Sequence, residues 1–340
     1  MGQAVLFLVG LVLITFGADW LVTGSSRIAT RLHISPLVVG LTVVAFGTSA
    51  PELFVSSLAA LRGQGGLAVG TVMGSTVANV GLIAGLGALI RPIDVKRRLL
   101  IRESPLLVLV LLIVMLLSWN DALGRLDGLA LMAGFVVYLG FMLRMEGTTR
   151  PGAGSSGVGG RLGVTGDEVA AAAQEAEGAS VAAEDARRGA AWRSSSWWLV
   201  VRMIVGLAAL LAGAHWLVDS ALEIATAFMV PEEVIGATMV AVGTSIPELA
   251  STVAASARGL GDIAIGNIIG SNVFNLGLVL GSAALLNPLR LPPEFVVRQV
   301  LPALFFCVLL IPLAYTGRRV NRPEGLLLLV LYGVFIYQVL

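Results

Sequence analysis

Apolar stretches the length of a bilayer-spanning helix recur along this chain, separated by short polar interruptions. A spanning helix needs roughly 20 mostly apolar residues. Ten stretches qualify, at approximately 3–26, 36–60, 66–90, 101–119, 126–144, 197–224, 234–256, 261–286, 295–315 and 324–340. The pattern predicts an all-α membrane protein with ten transmembrane helices. One long polar stretch, 147–196, interrupts it. It opens GTTRPGAGSSGVGG, a flexible linker, and continues as an alanine-rich run with Asp167, Glu168, Glu175, Glu177, Glu184 and Asp185, read as an exposed helix. That run lacks the alternating carboxylates and central Gly of an EF-hand, so a tether is expected rather than a regulatory calcium site. The chain thus divides into 1–146, a linker at 147–196, and 197–340.

Composition agrees with the pattern. Of 340 residues, 57 % are hydrophobic and only 13 % charged, too few charges to cover a soluble surface. With 22 basic against 21 acidic residues there is no nucleic-acid footprint, and no obligate protein partner is evident beyond the lipid bilayer. The single Cys307 excludes a disulfide within one chain, and His33 and His215, the only histidines, leave zinc chemistry without ligands. The N-terminus runs directly into an apolar segment with no basic region or cleavage site, which reads as a retained first helix.

The few charges sort by side. Counting loops from an outside N-terminus, 18 of the 22 basic residues fall on one face, including Arg91, Lys96, Arg97, Arg98, Arg102, Arg318, Arg319 and Arg322. The other face has Arg62, Arg125, Arg290 and Arg298. The positive-inside rule then places both termini outside and the linker in the cytoplasm.

At an offset of 196 the chain matches itself: residues 17–92 align with 213–288 without a gap, and 35 of the 76 positions are identical. GADWLV (17–22) meets GAHWLV (213–218), AFGTSAPEL (45–53) meets AVGTSIPEL (241–249), and GSTVANVGL (74–82) meets GSNVFNLGL (270–278). Chance agreement of apolar helices does not produce shared polar residues in register. Each half carries five spans, an odd number, so the second half enters the membrane from the opposite face. The expectation is two inverted-topology five-helix repeats, 1–146 and 197–340, with a site near the midplane where they meet.

Glu52 lies within the second span and Glu248 within the seventh. An ionisable group at that depth costs at least about 2.5 kcal/mol and is a functional candidate by default. Thr48 and Ser49 precede Glu52 by four and three residues and share its helical face. Pro51 cannot donate to the Gly47 carbonyl, so the helix should break near 45–51 and free carbonyl oxygens, tolerable only where they line a cavity or bind an ion. Ala241, Gly243, Thr244, Ser245, Pro247 and Glu248 repeat the arrangement. The third span adds Ser75 and Asn79, the eighth Ser271 and Asn275, each an i,i+4 pair. Glycines at 70, 74, 81 and 85 and their repeat mates allow close helix approach, which explains much of their presence. The predicted centre is an ion site formed by broken helices 2, 3, 7 and 8.

The ligand inventory is all oxygen: two carboxylates, two amides, hydroxyls and carbonyls. Hard cations favour that set, Ca²⁺ with six to eight oxygens. Two carboxylates offset one Ca²⁺ or two Na⁺, and occupancy by one load excludes the other. Mutually exclusive loading is the physical basis of exchange.

With GTSAPEL and GTSIPEL, each followed by a GS…N helix, the chain resembles the sodium/calcium exchanger branch of the cation/calcium antiporter superfamily, of the prokaryotic type without a large regulatory domain. The likeness covers both repeats and omits the linker. It implies that Glu52 and Glu248 are shared calcium and sodium ligands, completed by Thr48, Ser49, Thr244 and Ser245 and the carbonyls of Ala45 and Ala241. Ser75, Asn79, Ser271 and Asn275 match the remaining site positions. No cofactor is implied, only Ca²⁺ and Na⁺ as transported ions, in the cell (inner) membrane of a prokaryote. Potassium-coupled relatives, and some prokaryotic ones, carry Asp where Asn275 stands, so a potassium requirement is not expected. In that family the first and sixth spans slide against the other eight; Asp19 corresponds to His215, and a contact between the two is a candidate gating element.

The resemblance favours calcium export driven by sodium. A proton/calcium antiporter, or one for Mn²⁺ or Sr²⁺, would use the same carboxylates. A cation channel needs a continuous pore, and an intramembrane enzyme needs a nucleophile–base pair or an open metal position. No histidine lies near either motif.

Overall fold

The computed structural model describes residues 2–32, 34–146, 196–227, 243–291 and 294–339. The helices are α1 (Gly2–Leu32), α2 (Pro36–Thr48), α3 (Ala50–Leu61), α4 (Gly65–Ile90), α5 (Leu99–Leu117), α6 (Arg125–Glu146), α7 (Ser196–Ala227), α8 (Ile246–Ala257), α9 (Gly261–Leu286), α10 (Val296–Tyr315) and α11 (Arg322–Val339). Among the described residues seven are long and apolar enough to cross a membrane, or eight if α2 and α3, bent by 47°, are one span. The fold is an all-α membrane bundle. Linker residues 147–195 and the start of the seventh expected span lie outside the described residues.

The duplication is visible in the element bounds. Helices α3 and α4 begin and end 196 positions before α8 and α9. Each pair is joined through a glycine at φ +75°, Gly63 or Gly259, where a side chain would be strained. The turns close alike: Gly63 N–H to Ala60 O at 2.9 Å, and Gly259 N–H to Ser256 O at 3.0 Å.

Prolines set the interruption before α3 and α8. Ser49 (φ −82°, ψ 7°) and Ser245 (φ −87°, ψ 2°) leave helical geometry just before Pro51 and Pro247. The second span is therefore broken where the sequence places the break. The Ala45 carbonyl is not freed by it, since it accepts the Ser49 N–H at 3.0 Å. The third and eighth spans differ from expectation. Helices α4 and α9 run through without a break, each with a π-helical turn instead, Asn79–Ala84 and Asn275–Val279. Neither span contains a proline, so the chain absorbs the distortion by widening one turn, beginning at the asparagine in both halves.

Helices α1 and α7 cross antiparallel at a glycine seam. A Cβ on Gly10 would sit 2.8 Å from Gly213 O, and one on Gly17 would sit 2.6 Å from Gly206 O. These backbones touch, as small residues permit. The register puts Asp19 opposite residues 204–208, about 10–16 Å along the helix from His215 at 1.5 Å per residue. The anticipated Asp19–His215 contact does not form. Asp19 instead pairs with Arg258 and lies 3.7 Å from Arg202, while His215 faces Asp219 on its own helix at 3.3 Å. Repeat-related residues meet only where the crossing falls, and position 19 is beyond it.

Helices α4 and α9 form the centre. The most apolar stretch of α9 is 94 % buried and that of α4 72 %, against 39 % or less in the other spanning helices. Two short antiparallel strand pairs tie the halves together at their ends: Ile93–Asp94 with Arg319–Val320, and Ala122–Leu123 with Leu289–Arg290. The repeat offset carries Ile93 to Leu289, so the two pairs are counterparts.

Candidate ion-binding site

The broken ends of α2–α3 and α8 abut α4 and α9, and the polar residues of both halves converge there. Glu52, Ser75, Asn79, Ser271 and Asn275 are fully buried, as is Thr48; Ser49, Ser245 and Glu248 are nearly so, and Thr244 is 9 % exposed. Ala45 is buried beside them, and Ala241 lies outside the described residues.

The halves exchange partners across the interface. Ser49 donates to Glu248 Oε1 at 2.9 Å, and Ser245 lies 3.4 Å from Glu52 Oε1. Ser75 donates to Glu52 Oε1 at 3.2 Å and accepts the Asn275 amide at 3.1 Å. Thr244 approaches Glu52, while Thr48 and Ser271 approach Glu248. The two carboxylates are near enough to repel one another. Asn79 donates through Nδ2 to Asn272 Oδ1 at 2.8 Å.

At this site four acceptor-only oxygens are buried without a hydrogen-bond partner, Glu52 Oε2, Glu248 Oε2, Asn79 Oδ1 and Asn275 Oδ1, as are Ser271 Oγ and the amide nitrogen of Asn272. The four acceptors form two repeat-related pairs. Buried polar atoms are ordinarily satisfied, and an unpaired buried carboxylate costs several kcal/mol. Repeat-related orphan acceptors that include two carboxylates have the chemistry of a cation site.

Glu103 shows the alternative way to bury an acid. It is fully buried in α5, with Arg102 Nη2 at 2.5 Å and the Tyr138 hydroxyl donating to Oε2 at 3.0 Å. That carboxylate has its base beside it and serves to join α5 to α6. Among the described residues no Lys or Arg pairs with Glu52 or Glu248.

Sequence reasoning passed over Asn267 and Asn272, both buried on α9. Asn267 bridges Ser251, Thr252 and Thr48, and Asn272 holds Asn79. The signal was available in the repeat, where they replace Thr71 and Thr76. Both differ from their repeat mates, so the identical positions of the two halves do not point to them.

The family model for sodium/calcium exchanger proteins matches residues 2–144 and 198–340. The chain belongs to the sodium/calcium exchanger family. It is similar to the sodium/calcium exchanger MaX1 of Methanosarcina acetivorans, 31 % identical over 97 % of this chain and 96 % of the relative. It is 35 % identical to the inner membrane protein YrbG of Escherichia coli over 97 % and 94 %. Among solved structures, the sodium-calcium exchanger NCX_Mj soaked with Na⁺ and Sr²⁺ superposes with a TM-score of 0.78 at 31 % identity, covering 98 % of each chain. This exchanger is thus an integral membrane transporter of Ca²⁺ and Na⁺ by family, and 145–197 falls outside the family match.

Proposed function

We propose that this exchanger is a secondary antiporter that extrudes Ca²⁺ from the cytoplasm using the inward sodium gradient, by alternating access at the site between α3, α4, α8 and α9. The observation that carries it is the set of four repeat-related orphan oxygens on Glu52, Glu248, Asn79 and Asn275. These atoms, with the hydroxyls of Thr48, Ser49, Ser75, Thr244, Ser245 and Ser271, the Ala241 carbonyl and the Ala45 carbonyl through the lone pair that the Ser49 N–H does not use, are the proposed ligands. A load of one Ca²⁺ or two Na⁺ balances the two carboxylates, and the loads exclude each other. The protein itself performs no bond-making chemistry in this scheme: its side chains replace the ion's hydration shell.

The chain is further proposed to form ten spans in two inverted repeats, 1–146 and 197–340. Both termini would lie outside and the 147–196 tether in the cytoplasm of a prokaryotic cell, with the protein in its inner membrane. The 18 basic residues on one face support that orientation. Uncharged Asn275 supports exchange without potassium. Calcium uptake into reconstituted vesicles tests the coupling: an outward sodium gradient should drive it, with or without potassium. Uptake driven by a pH gradient alone would instead assign the carboxylates to proton/calcium exchange, and uptake needing no counter-ion gradient would make the protein a channel.

A further inference from the structure

Asn267 stands on α9 one turn before Ser271, outside the oxygen set of the proposed ion site, and its amide joins three helices. Nδ2 lies 3.0 Å from Ser251 Oγ, 3.0 Å from Thr252 Oγ1 and 3.4 Å from the Glu248 carbonyl, all on α8. Oδ1 accepts the Thr48 hydroxyl of α2 at 3.3 Å. The neighbours dictate this orientation. The Glu248 carbonyl can only accept, and Ser251 directs its own proton to that carbonyl at 3.0 Å, so the amide nitrogen must face α8. Oδ1 is left for Thr48.

The Thr48 oxygen has one proton and three acceptors around it: Asn267 Oδ1, Val44 O at 3.1 Å and Ala45 O at 3.4 Å. The Glu248 carboxylate is a further acceptor, hydrogen-bonded by the Thr48 side chain. When a cation takes the place of that bond, Asn267 Oδ1 receives the Thr48 proton and the hydroxyl lone pairs face the ion. The repeat-related position behaves differently. Thr71 turns its hydroxyl back to Leu67 O of its own helix at 2.9 Å, and Ser56 donates to Ala68 O at 3.1 Å.

We propose that Asn267 is a positioning residue, peculiar to the second half, that ties the Glu248 turn to Thr48 and aims the Thr48 oxygen at the transported cation. This rests on the assignment of Glu248 and Thr48 as cation ligands. Double-mutant coupling tests it, because a residue acting through Thr48 has no further effect once that hydroxyl is gone. Calcium is titrated without sodium into the purified full-length chain for the wild type, Asn267→Thr, Thr48→Val and the double variant. Asn267→Thr should weaken calcium binding about tenfold, in line with losing a partner that orients a ligand. Added to Thr48→Val, it should change the affinity by less than about twofold. In transport, Asn267→Thr should raise the KM for calcium and leave the maximal rate nearly unchanged. Equal losses of affinity in both backgrounds, or no loss in either, overturn the proposal. Should Asn267→Thr not fold, Asn267→Ser makes the same comparison. If sodium fails to drive uptake by the wild type while the binding cycle behaves as stated, the coupling assignment falls and this one stands. A wild type that binds no calcium overturns both.

Discussion

Glu52 and Glu248 are buried with no Lys or Arg beside them among the described residues. Each has one oxygen held by serine hydroxyls and one left open, whereas Glu103 is fully paired with Arg102 and Tyr138. Removing one charge from a site that binds a divalent cation should cost about 3 kcal/mol, or about 100-fold in affinity. Glu52→Gln and Glu248→Gln should therefore each reduce calcium uptake by at least about 100-fold, measured in vesicles at matched protein content, while the purified variants stay folded. Uptake within tenfold of wild type in either would remove that carboxylate from the ligand set. The two acids, their hydroxyl neighbours and the paired asparagines are legible in the sequence because duplication repeats them in an apolar setting. Asn267 and Asn272 are not, since an amide within a helix carries no sign of which neighbours it will reach. Their partners come from α8 and α4, and only the packing supplies them.

At the scale of elements, proline and glycine decide the geometry. Pro51 and Pro247 interrupt helices that would otherwise run straight through the site, and their lack of an N–H is readable from sequence. The π-helical turns at Asn79 and Asn275 are not readable, because no residue type demands an extra residue per turn. The α1–α7 seam sits between these cases. Glycines at 10, 17, 206 and 213 announce a close approach, but their antiparallel register, and hence the separation of Asp19 from His215, depends on which glycines meet. A Cβ at Gly17 would fall 2.5 Å from Leu210 N, against backbone that cannot yield without parting the helices. Gly17→Ala should destabilise the protein by about 1–3 kcal/mol and lower its melting temperature in detergent. Gly134→Ala on α6 should not, since a Cβ there meets nothing within 4 Å. Equal melting temperatures for the two variants would contradict the tight seam.

At the scale of the whole molecule, the halves interlock through the strand pairs, the α1–α7 crossing and the exchanged serine–glutamate contacts. Those contacts are non-covalent, and the family match omits 145–197. Co-expression of 1–146 with 197–340 should therefore restore calcium uptake to within a few-fold of the intact chain, assayed on inverted membrane vesicles. Complete loss of uptake with both pieces present would give the linker an essential role. Membrane character, duplication and the central site could be argued from apolar period, internal alignment and residue type. The cross-half pairing of short strands could not, because two-residue strands leave no periodic trace.

Calcium and sodium are proposed to compete for one set of oxygens. Calcium binding to the purified exchanger, titrated at increasing sodium, tests this competition most directly. Sodium should weaken calcium binding progressively without lowering the number of sites, and Glu52→Gln should bind calcium about 100-fold more weakly at every sodium concentration. Calcium affinity that stays constant as sodium rises would contradict a shared site.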